Sequence, residues 1–482
     1  VFKQSIGAQE MARKGVSDVE EGLTKITGIT KVESRGLFVR GLEERYSNLL
    51  INELQAPSNS PFTKIIPLDL FPTDIVGVLN VYKTFNPNIS GDFAGATVNI
   101  ETVQAKSITK LSIGAGFTTE NNGSDFLIHS DANNTQGFFG LNGRDRQLSP
   151  LYGNVPASKV LTPDEYNTTY KNNTWNVDKT SSPLNTSIGL IHSEKFNLDN
   201  GDKINYTFSI NGDNKFIIRK GVDRTFILGG GDYDNNFQKE SYSYQTNASA
   251  LAAVNYKAKR FDVALNSFYL RSTDSKIIDQ LGYTNNQSSN PNILIRTNQF
   301  DQSDYLNTQL IGNIKLTSDE KHTLKFGGSF VKTGYEQPDR KFIIGEKVSP
   351  TEIETRYGGN HLNKQYLDIN GNYYFSGLLE YNYKFDEKEN GKSNRLTVGY
   401  NVFENDLKST YRTFASRGLN KSYIAPINSI NSLIVDDINN GIIFEREESN
   451  TDYKNKLNQI VNSGYINYLH NFNEKIEINA GI

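Results

Sequence analysis

The sequence predicts a mainly β protein in two parts: a small α/β domain over residues 1–105, then antiparallel transmembrane β-barrel strands over residues 106–482. Three observations predict it. From Thr109 onward apolar residues recur at every second position, the period of a strand with two unlike faces. The links between these strands alternate short and long. The first hundred residues show neither habit and mix short helical and strand signals.

Composition narrows the function classes. A net charge of −3 over 482 residues gives no general attraction to nucleic acid. The absence of cysteine removes disulfides, thiolate metal sites and cysteine nucleophiles together. With 26 Tyr, 27 Phe and 39 Gly the chain favours strands and turns over helices. Val1-Phe2-Lys3-Gln4 carries no signal-peptide pattern, so a signal was removed or the chain begins inside a longer protein. No stretch approaches the ~18 apolar residues of a membrane helix, which says nothing against barrel strands.

In the first part, Gln9 to Lys14 reads as a short helix. A second starts at Ser17-Asp18-Val19-Glu20, which has capping-box spacing, and ends at Gly28. Leu37-Phe38-Val39 and Leu49-Leu50-Ile51 read as strands, Asp74 to Leu79 as a helix, and Val81-Tyr82-Lys83 and Ala96 to Glu101 as further strands.

In the second part eleven strands are expected, near 109–119, 183–193, 203–213, 245–257, 260–271, 304–316, 322–333, 373–385, 394–406, 458–469 and 475–482. Within Lys203 to Asn211, for example, Ile204, Tyr206, Phe208 and Ile210 oppose Asn205, Thr207 and Ser209. A soluble sandwich alternates in the same way, so periodicity alone does not decide. Link length does: 194–202, 258–259, 317–321, 386–393 and 470–474 are short, whereas 120–182, 214–244, 272–303, 334–372 and 407–457 are long. Membrane barrels sort turns and loops this way, and most of these strands have the ~9–11 residues needed to cross a bilayer. Tyr373, Tyr374 and Phe385 are expected in interfacial girdles.

Three segments of the first part then resemble one family. Gly36-Leu37-Phe38-Val39-Arg40-Gly41-Leu42-Glu43-Glu44-Arg45-Tyr46, the run Leu70 to Lys83, and Gly91-Asp92-Phe93-Ala94-Gly95-Ala96-Thr97-Val98-Asn99-Ile100-Glu101-Thr102 are similar, in order and spacing, to the plug of TonB-dependent outer-membrane receptors. Asn52-Glu53-Leu54 departs from the family, which places an Asn-Gly or Asp-Gly turn there, and Ala94 replaces a glycine. The resemblance implies a 22-stranded barrel of which this chain holds the plug and about half the strands. It also implies location in the bacterial outer membrane, and import of a scarce solute powered by the inner-membrane TonB complex acting on a segment upstream of Val1. The alternative is a receptor-fold scaffold in an outer-membrane complex or secretion machine, partnered by a lipoprotein. An extracellular all-β enzyme or adhesin is a third reading, which the plug motifs and sorted links disfavour.

No catalytic, cofactor or metal site is expected. The five histidines lack ligand spacing, no Gly-x-Ser-x-Gly elbow occurs, and Asp232-Tyr233-Asp234-Asn235 reads as a solvated turn rather than a calcium loop. Arg40, Arg45 and Arg35 are the candidate plug–barrel contacts, since a guanidinium among apolar strands needs carboxylate partners. Arg40, next to the flexible Gly41, is the leading one, and Glu380, inward-facing in mid-strand, is its lumen partner candidate. For Arg45, beside Glu43 and Glu44, a solvated turn is the plainer reading.

Overall fold

The computed structural model describes residues 3–16, 18–32, 36–58, 64–103, 107–156, 159–227, 229, 232–285, 288–357, 361–386, 393–419, 421–472 and 476–482. Its first part builds β1 (Lys3–Gly7), α1 (Ala8–Arg13), α2 (Val19–Thr24), β2 (Ile29–Val32), β3 (Gly36–Val39), β4 (Leu42–Glu43), β5 (Asn48–Ile51), β6 (Leu54–Gln55), β7 (Val76–Tyr82) and β8 (Thr97–Thr102). These form a five-stranded sheet in the order β1-β7-β8-β5-β6 and a small β2-β3-β4 sheet. Met11 of α1 and Val19 and Leu23 of α2 are buried in one apolar core with Leu49, Ile51, Leu79 and Val81 of the larger sheet.

Two local expectations are corrected. The α2 cap is Asp18, whose carboxylate accepts from the Glu21 amide at 2.9 Å; Ser17 lies outside the described residues. The helix expected at 74–79 is a single 3-10 turn, Thr73–Ile75, followed by β7. Val76, Val78 and Val81 are β-branched, and β7 gains a ladder on each edge, from β1 and β8, which outweighs the local helical pattern.

The second part is a fourteen-stranded antiparallel sheet. Eleven strands follow one another in a meander, interrupted by smaller elements in the long links. In chain order these are β9 (Ile108–Gly116), β10 (Asp125–His129), α3 (Thr135–Phe138), α4 (Pro163–Thr169), β11 (Val177–Ser181), β12 (Asn185–Asn197), β13 (Lys203–Phe226), β14 (Tyr233–Lys257), β15 (Phe261–Tyr283), β16 (Ile293–Lys315), β17 (His322–Lys347) and β18 (Glu352–Arg356). Then come β19 (Leu362–Phe385), β20 (Asn394–Gly418), β21 (Ser422–Pro426), α5 (Asn431–Asn439), β22 (Ile443–Glu447), β23 (Lys454–Asn471) and β24 (Glu477–Gly481). Meander neighbours run from β9 and β12 through to β23 and β24, the latter two edges being β9 and β24. The mainly β class and the eleven meander strands agree with the sequence reading. The short–long sorting of links is corrected: β13 and β14 are separated only by 227–232 and β15 and β16 only by 284–292, no longer or barely longer than the 386–393 turn, because most of 214–244 and 272–303 continues the strand ladders. The strands are much longer than read: β13 has 24 residues and β17 has 26.

Register assigns each wall residue to a face. Leu251 pairs with Phe268 and Leu270 with Tyr305, and all four are buried against the first part, so their face is the inner one. Alternate residues form the outer face, where Phe208, Val254, Leu265, Leu310, Phe330 and Leu379 are exposed. Rings stack along the lower rim of this apolar band: Phe196 on Tyr206, Tyr256 near Phe261, and Phe385 on Tyr468. Phe385 thus joins the expected girdle. Tyr373 is on the outer face with its hydroxyl donating to Glu404 at 2.6 Å. Tyr374 is not in a girdle, because its place in the alternation turns it inward, where it is buried against the plug core beside Phe403.

Candidate functional site

The first part sits on the inner face as a plug, packs its apolar core on Leu251, Phe268, Leu270 and Tyr305 of the wall, and is hydrogen-bonded to it through the β5–β6 hairpin. A two-residue hairpin turn matching the strand twist needs positive φ at both central residues, which favours glycine. Here Asn52 and Glu53 adopt it, at φ 52° and 68°. Their side chains do what glycine could not. Asn52 Nδ2 donates to Gln309 Oε1 of β16 at 2.8 Å, and its Oδ1 accepts from the Thr102 amide at 2.9 Å. Gln309 Nε2 returns to the Ile51 carbonyl at 3.0 Å, and Gln55 N donates to Ser376 Oγ of β19 at 3.1 Å. Glu53 pairs with Lys325 of β17, and its own amide donates to Asn99 Oδ1 at 2.9 Å. Higher on the plug, Phe71 meets Phe268 edge-on at 6.0 Å. Between plug and wall a space of about 400 Å³ remains, lined by Asp18, Leu70 and Pro72 on one side and by polar wall residues such as Ser187, Asn211 and Asp213 on the other.

Above the plug the inner wall carries a polar ladder. Lys276 Nζ lies 2.7 Å from Asp274 and 3.8 Å from Asp301. Ser243 donates to Asp274 at 2.5 Å; Tyr335 and Gln337 donate to Asp301 at 3.1 and 2.8 Å. Burial disfavours the Lys276 charge, but the Asp274 and Asp301 carboxylates outweigh it and hold its pKa above the usual range. The ladder therefore presents fixed charges and hydroxyls rather than a proton-transfer pair. It suits hydrogen bonding to a polar solute. Among the described residues no cluster of His, Cys, Asp and Glu is arranged to hold a metal.

On the outer face of the tall strands, the long links after β9 and β20 pack together around buried ion pairs. Lys341 pairs with Asp339 at 2.5 Å, Lys364 with Glu445 at 2.8 Å, and Arg412 with Glu447 at 2.6 Å. Tyr152 and Tyr170 each donate to Glu445 at 2.8 Å, and the Lys364 ammonium stands 3.5 Å from the Tyr170 ring centre. Burial lowers the Lys341 pKa; it also works against the Lys364 charge, but Glu445 outweighs it and raises that pKa. His129 is held neutral by burial and by the neighbouring Arg146 and Lys341 charges. With these three pairs matched and enclosed, the cluster holds the links to the wall.

The expected arginine contacts are not what joins plug and wall among the described residues. Arg40 is exposed at the tip of the β3–β4 hairpin, at φ 54°, with its amide donating to the Gly28 carbonyl at 2.9 Å. Paired with Gly41 it forms a tight turn that aims the guanidinium into solvent, near Lys83 rather than a carboxylate; burial and then the Arg40 charge lower the Lys83 pKa. Arg45 pairs with Glu43 of the plug itself at 2.6 Å, as a solvated turn would. Arg35 lies outside the described residues. Glu380 does face inward, but its carboxylate takes the Tyr465 hydroxyl at 2.6 Å and the Asn382 amide at 2.8 Å, both from the wall. The amides at 52, 55 and 309 do the joining instead. The departure from Asn-Gly at Asn52-Glu53 was the signal that could have found them. The ladder residues 274, 276 and 301 fell in stretches read as links.

No protein-family model matches the sequence, and no curated protein matches it. Among solved structures the chain is similar to the ferric yersiniabactin uptake receptor FyuA from Yersinia pestis, at 10% identity and TM-score 0.50, covering 100% of this chain and 64% of that one. It also aligns with the ferric citrate transporter FecA (11%, TM-score 0.45, 100% and 62% covered) and with BauA, the ferric preacinetobactin receptor from Acinetobacter baumannii (12%, TM-score 0.43, 99% and 63% covered). The chain thus spans under two thirds of these receptors' length. The fold it shares with FyuA is the plugged barrel expected from the sequence.

Proposed function

We propose that this chain is the plug and part of the barrel of a TonB-dependent outer-membrane receptor that imports a scarce polar solute. The single observation carrying the proposal is the plug joined to the inner wall by the 52–55 hairpin, beneath a polar ladder that faces the space above it. A static pore needs no such obstruction. The outer apolar band with its lower ring of aromatics supports placement in a bilayer. FyuA, which has this fold, is by its description a ferric yersiniabactin uptake receptor. In the proposed cycle the solute binds from outside against the ladder and the plug top. Energy from the TonB complex, acting through a segment beyond this chain, then releases the hairpin from Gln309 and Ser376 and opens a path. Solute retention by whole cells tests the reading. Replacing Asp274, Lys276 and Asp301 together should abolish TonB-dependent accumulation of the cognate solute while leaving the folded barrel in the outer membrane. Undiminished accumulation would remove the ladder from the reading, and accumulation that persists without TonB would remove the energy coupling.

A further inference from the structure

The link after β9 does not simply project from the rim. Residues 134–156 run around the outer face of the wall as a collar. Phe138 O accepts from Asn214 Nδ2 of β13 at 2.9 Å and from the Tyr244 hydroxyl of β14 at 2.5 Å. Gly140 O accepts from Arg271 Nη2 of β15 at 3.1 Å. Farther on, Gln147 donates to Glu336 of β17 at 2.7 Å, Arg412 of β20 donates to Gly153 O at 2.6 Å, and Lys454 of β23 donates to Asn154 O at 2.8 Å. The collar crosses the strands in chain order and is seated tightly. Gly140 has φ +65°, and a Cβ there would overlap Thr273 Oγ1.

Height on the wall follows from register. Thr246 and Thr273 face each other under the collar, and one step lower on the same face are Ala248 and Arg271. Below them β14 is apolar on this face, through Ala250, Ala252 and Val254, while β15 carries Tyr269 and Ser267 before the exposed Leu265. Two residues of strand amount to about 6–7 Å, less when the strand is tilted, which is within the reach of an aromatic side chain. Above this edge the collar bears Phe138, Phe139 and Leu141, with relative exposures of 39%, 57% and 55%. Of the wall beneath them β14 presents only alanines, Ala248, Ala250 and Ala252, so the collar carries large apolar groups over a strand that has none at this height.

Resting on the membrane-barrel reading above, we propose that the collar is a lipid-contacting element whose Phe138, Phe139 and Leu141 insert into the outer-leaflet interface and complete the upper aromatic girdle over β13–β15. The observation that selects lipid over a protein partner is height: these side chains stand two register steps above the exposed Ile210 and Leu306 of the apolar band on the same face, and the row between is tied up by the protein itself, Arg271 on Gly140 O and Asp304 on the Tyr269 hydroxyl. Interfacial apolar groups settle about 5–10 Å into the boundary between headgroups and acyl chains.

Because the sequence has no cysteine, single labels are direct. The full protein is reconstituted in phosphatidylcholine bilayers, and Phe139→Cys, or separately Leu141→Cys, carries an environment-sensitive fluorophore. Leu265→Cys, in the apolar band, serves as the lipid reference and Asn235→Cys, in the β13–β14 tip, as the water reference. Nitroxide placed near the lipid headgroup and at shallow acyl positions is the quencher. Both collar labels should be quenched by shallow nitroxide to about the extent of the Leu265 label or more, and the Asn235 label should not. Collar labels that behave like Asn235 while Leu265 is quenched overturn the inference alone. An unquenched Leu265 label overturns the barrel reading beneath it.

Discussion

Replacing Gln309 with leucine isolates the junction between plug and wall. Gln309 is almost fully buried, accepts from Asn52 at 2.8 Å and donates to the Ile51 carbonyl at 3.0 Å. Leucine fills similar space but makes neither bond. Each lost bond is worth ~0.5–1.5 kcal/mol net, and an amide left unpaired in a buried setting costs ~1–3 kcal/mol, so Gln309→Leu should loosen the hairpin by roughly 2–4 kcal/mol. At ~1.4 kcal/mol per tenfold, the detached state becomes about 30- to 700-fold more populated. Amide hydrogen exchange reads this at Gln55, whose N–H donates to Ser376 across the same junction. Passive entry of a large hydrophilic antibiotic gives a cellular readout. Thr308→Ala, one residue away but on the outer face, is the control and should change neither. Asn52→Ala combined with Gln309→Leu should cost less than the two changes added, since they share one contact. Unaltered exchange at Gln55 and unaltered leakage in Gln309→Leu would refute the assignment of this hairpin as the clamp.

Three further outcomes are expected. The Glu44 carboxyl is pushed up to about 7 by burial, with Glu20 and Glu43 adding to the shift. The folded state therefore holds its proton more tightly than the unfolded one, and stability falls as pH rises from about 4.5 to about 7; Glu44→Gln should raise the melting temperature at about pH 8 and leave it unchanged at about pH 4. Lys364→Met strands Glu445 in a buried site and should cost about 3–5 kcal/mol in chemical denaturation, whereas adding Glu445→Leu should restore much of it. Gly140→Ala should lift the collar from Thr273, which limited trypsin digestion would report as faster cutting at the exposed Arg144.

The sequence was most legible where one solvent acts on each face. In β13 the run Ile204, Tyr206, Phe208, Ile210 alternates with polar residues because the outer face meets an apolar medium and the inner one a polar lumen. Above that level the outer face is covered by the protein's own links. Phe216, Tyr244 and Ile277 are buried there under Phe126 and its neighbours, while Lys276 and Asp274 face inward. Apolar and charged residues then follow one another, as in Lys276-Ile277-Ile278-Asp279, and the period of two fades. The pattern of two therefore stops near 213, 271 and 333, although the ladders run on to 226, 283 and 347. The plug's outline was readable from its motifs. Of the clamp only one half left a trace, the missing turn glycine at Asn52-Glu53; nothing in the sequence names Gln309, 257 positions away, as its partner.

The tall strands also set an electrostatic distance. Twenty-four to twenty-six residues at ~3.3 Å each, tilted by ~40°, rise about 60 Å. In the proposed bilayer placement, with ~25–30 Å inside the hydrocarbon and ~5–7 Å of headgroups above it, the mouth stands ~25 Å clear of the lipid surface. That is several times the ~8 Å Debye length at physiological salt. An approaching ion at this height no longer senses headgroup charge. It meets instead the rim's own pairs, Lys220 with Glu240 at 3.1 Å and Lys239 with Asp223 at 3.3 Å. The salt dependence of capture should accordingly follow substitutions at those four positions and be indifferent to the charge of the surrounding lipid.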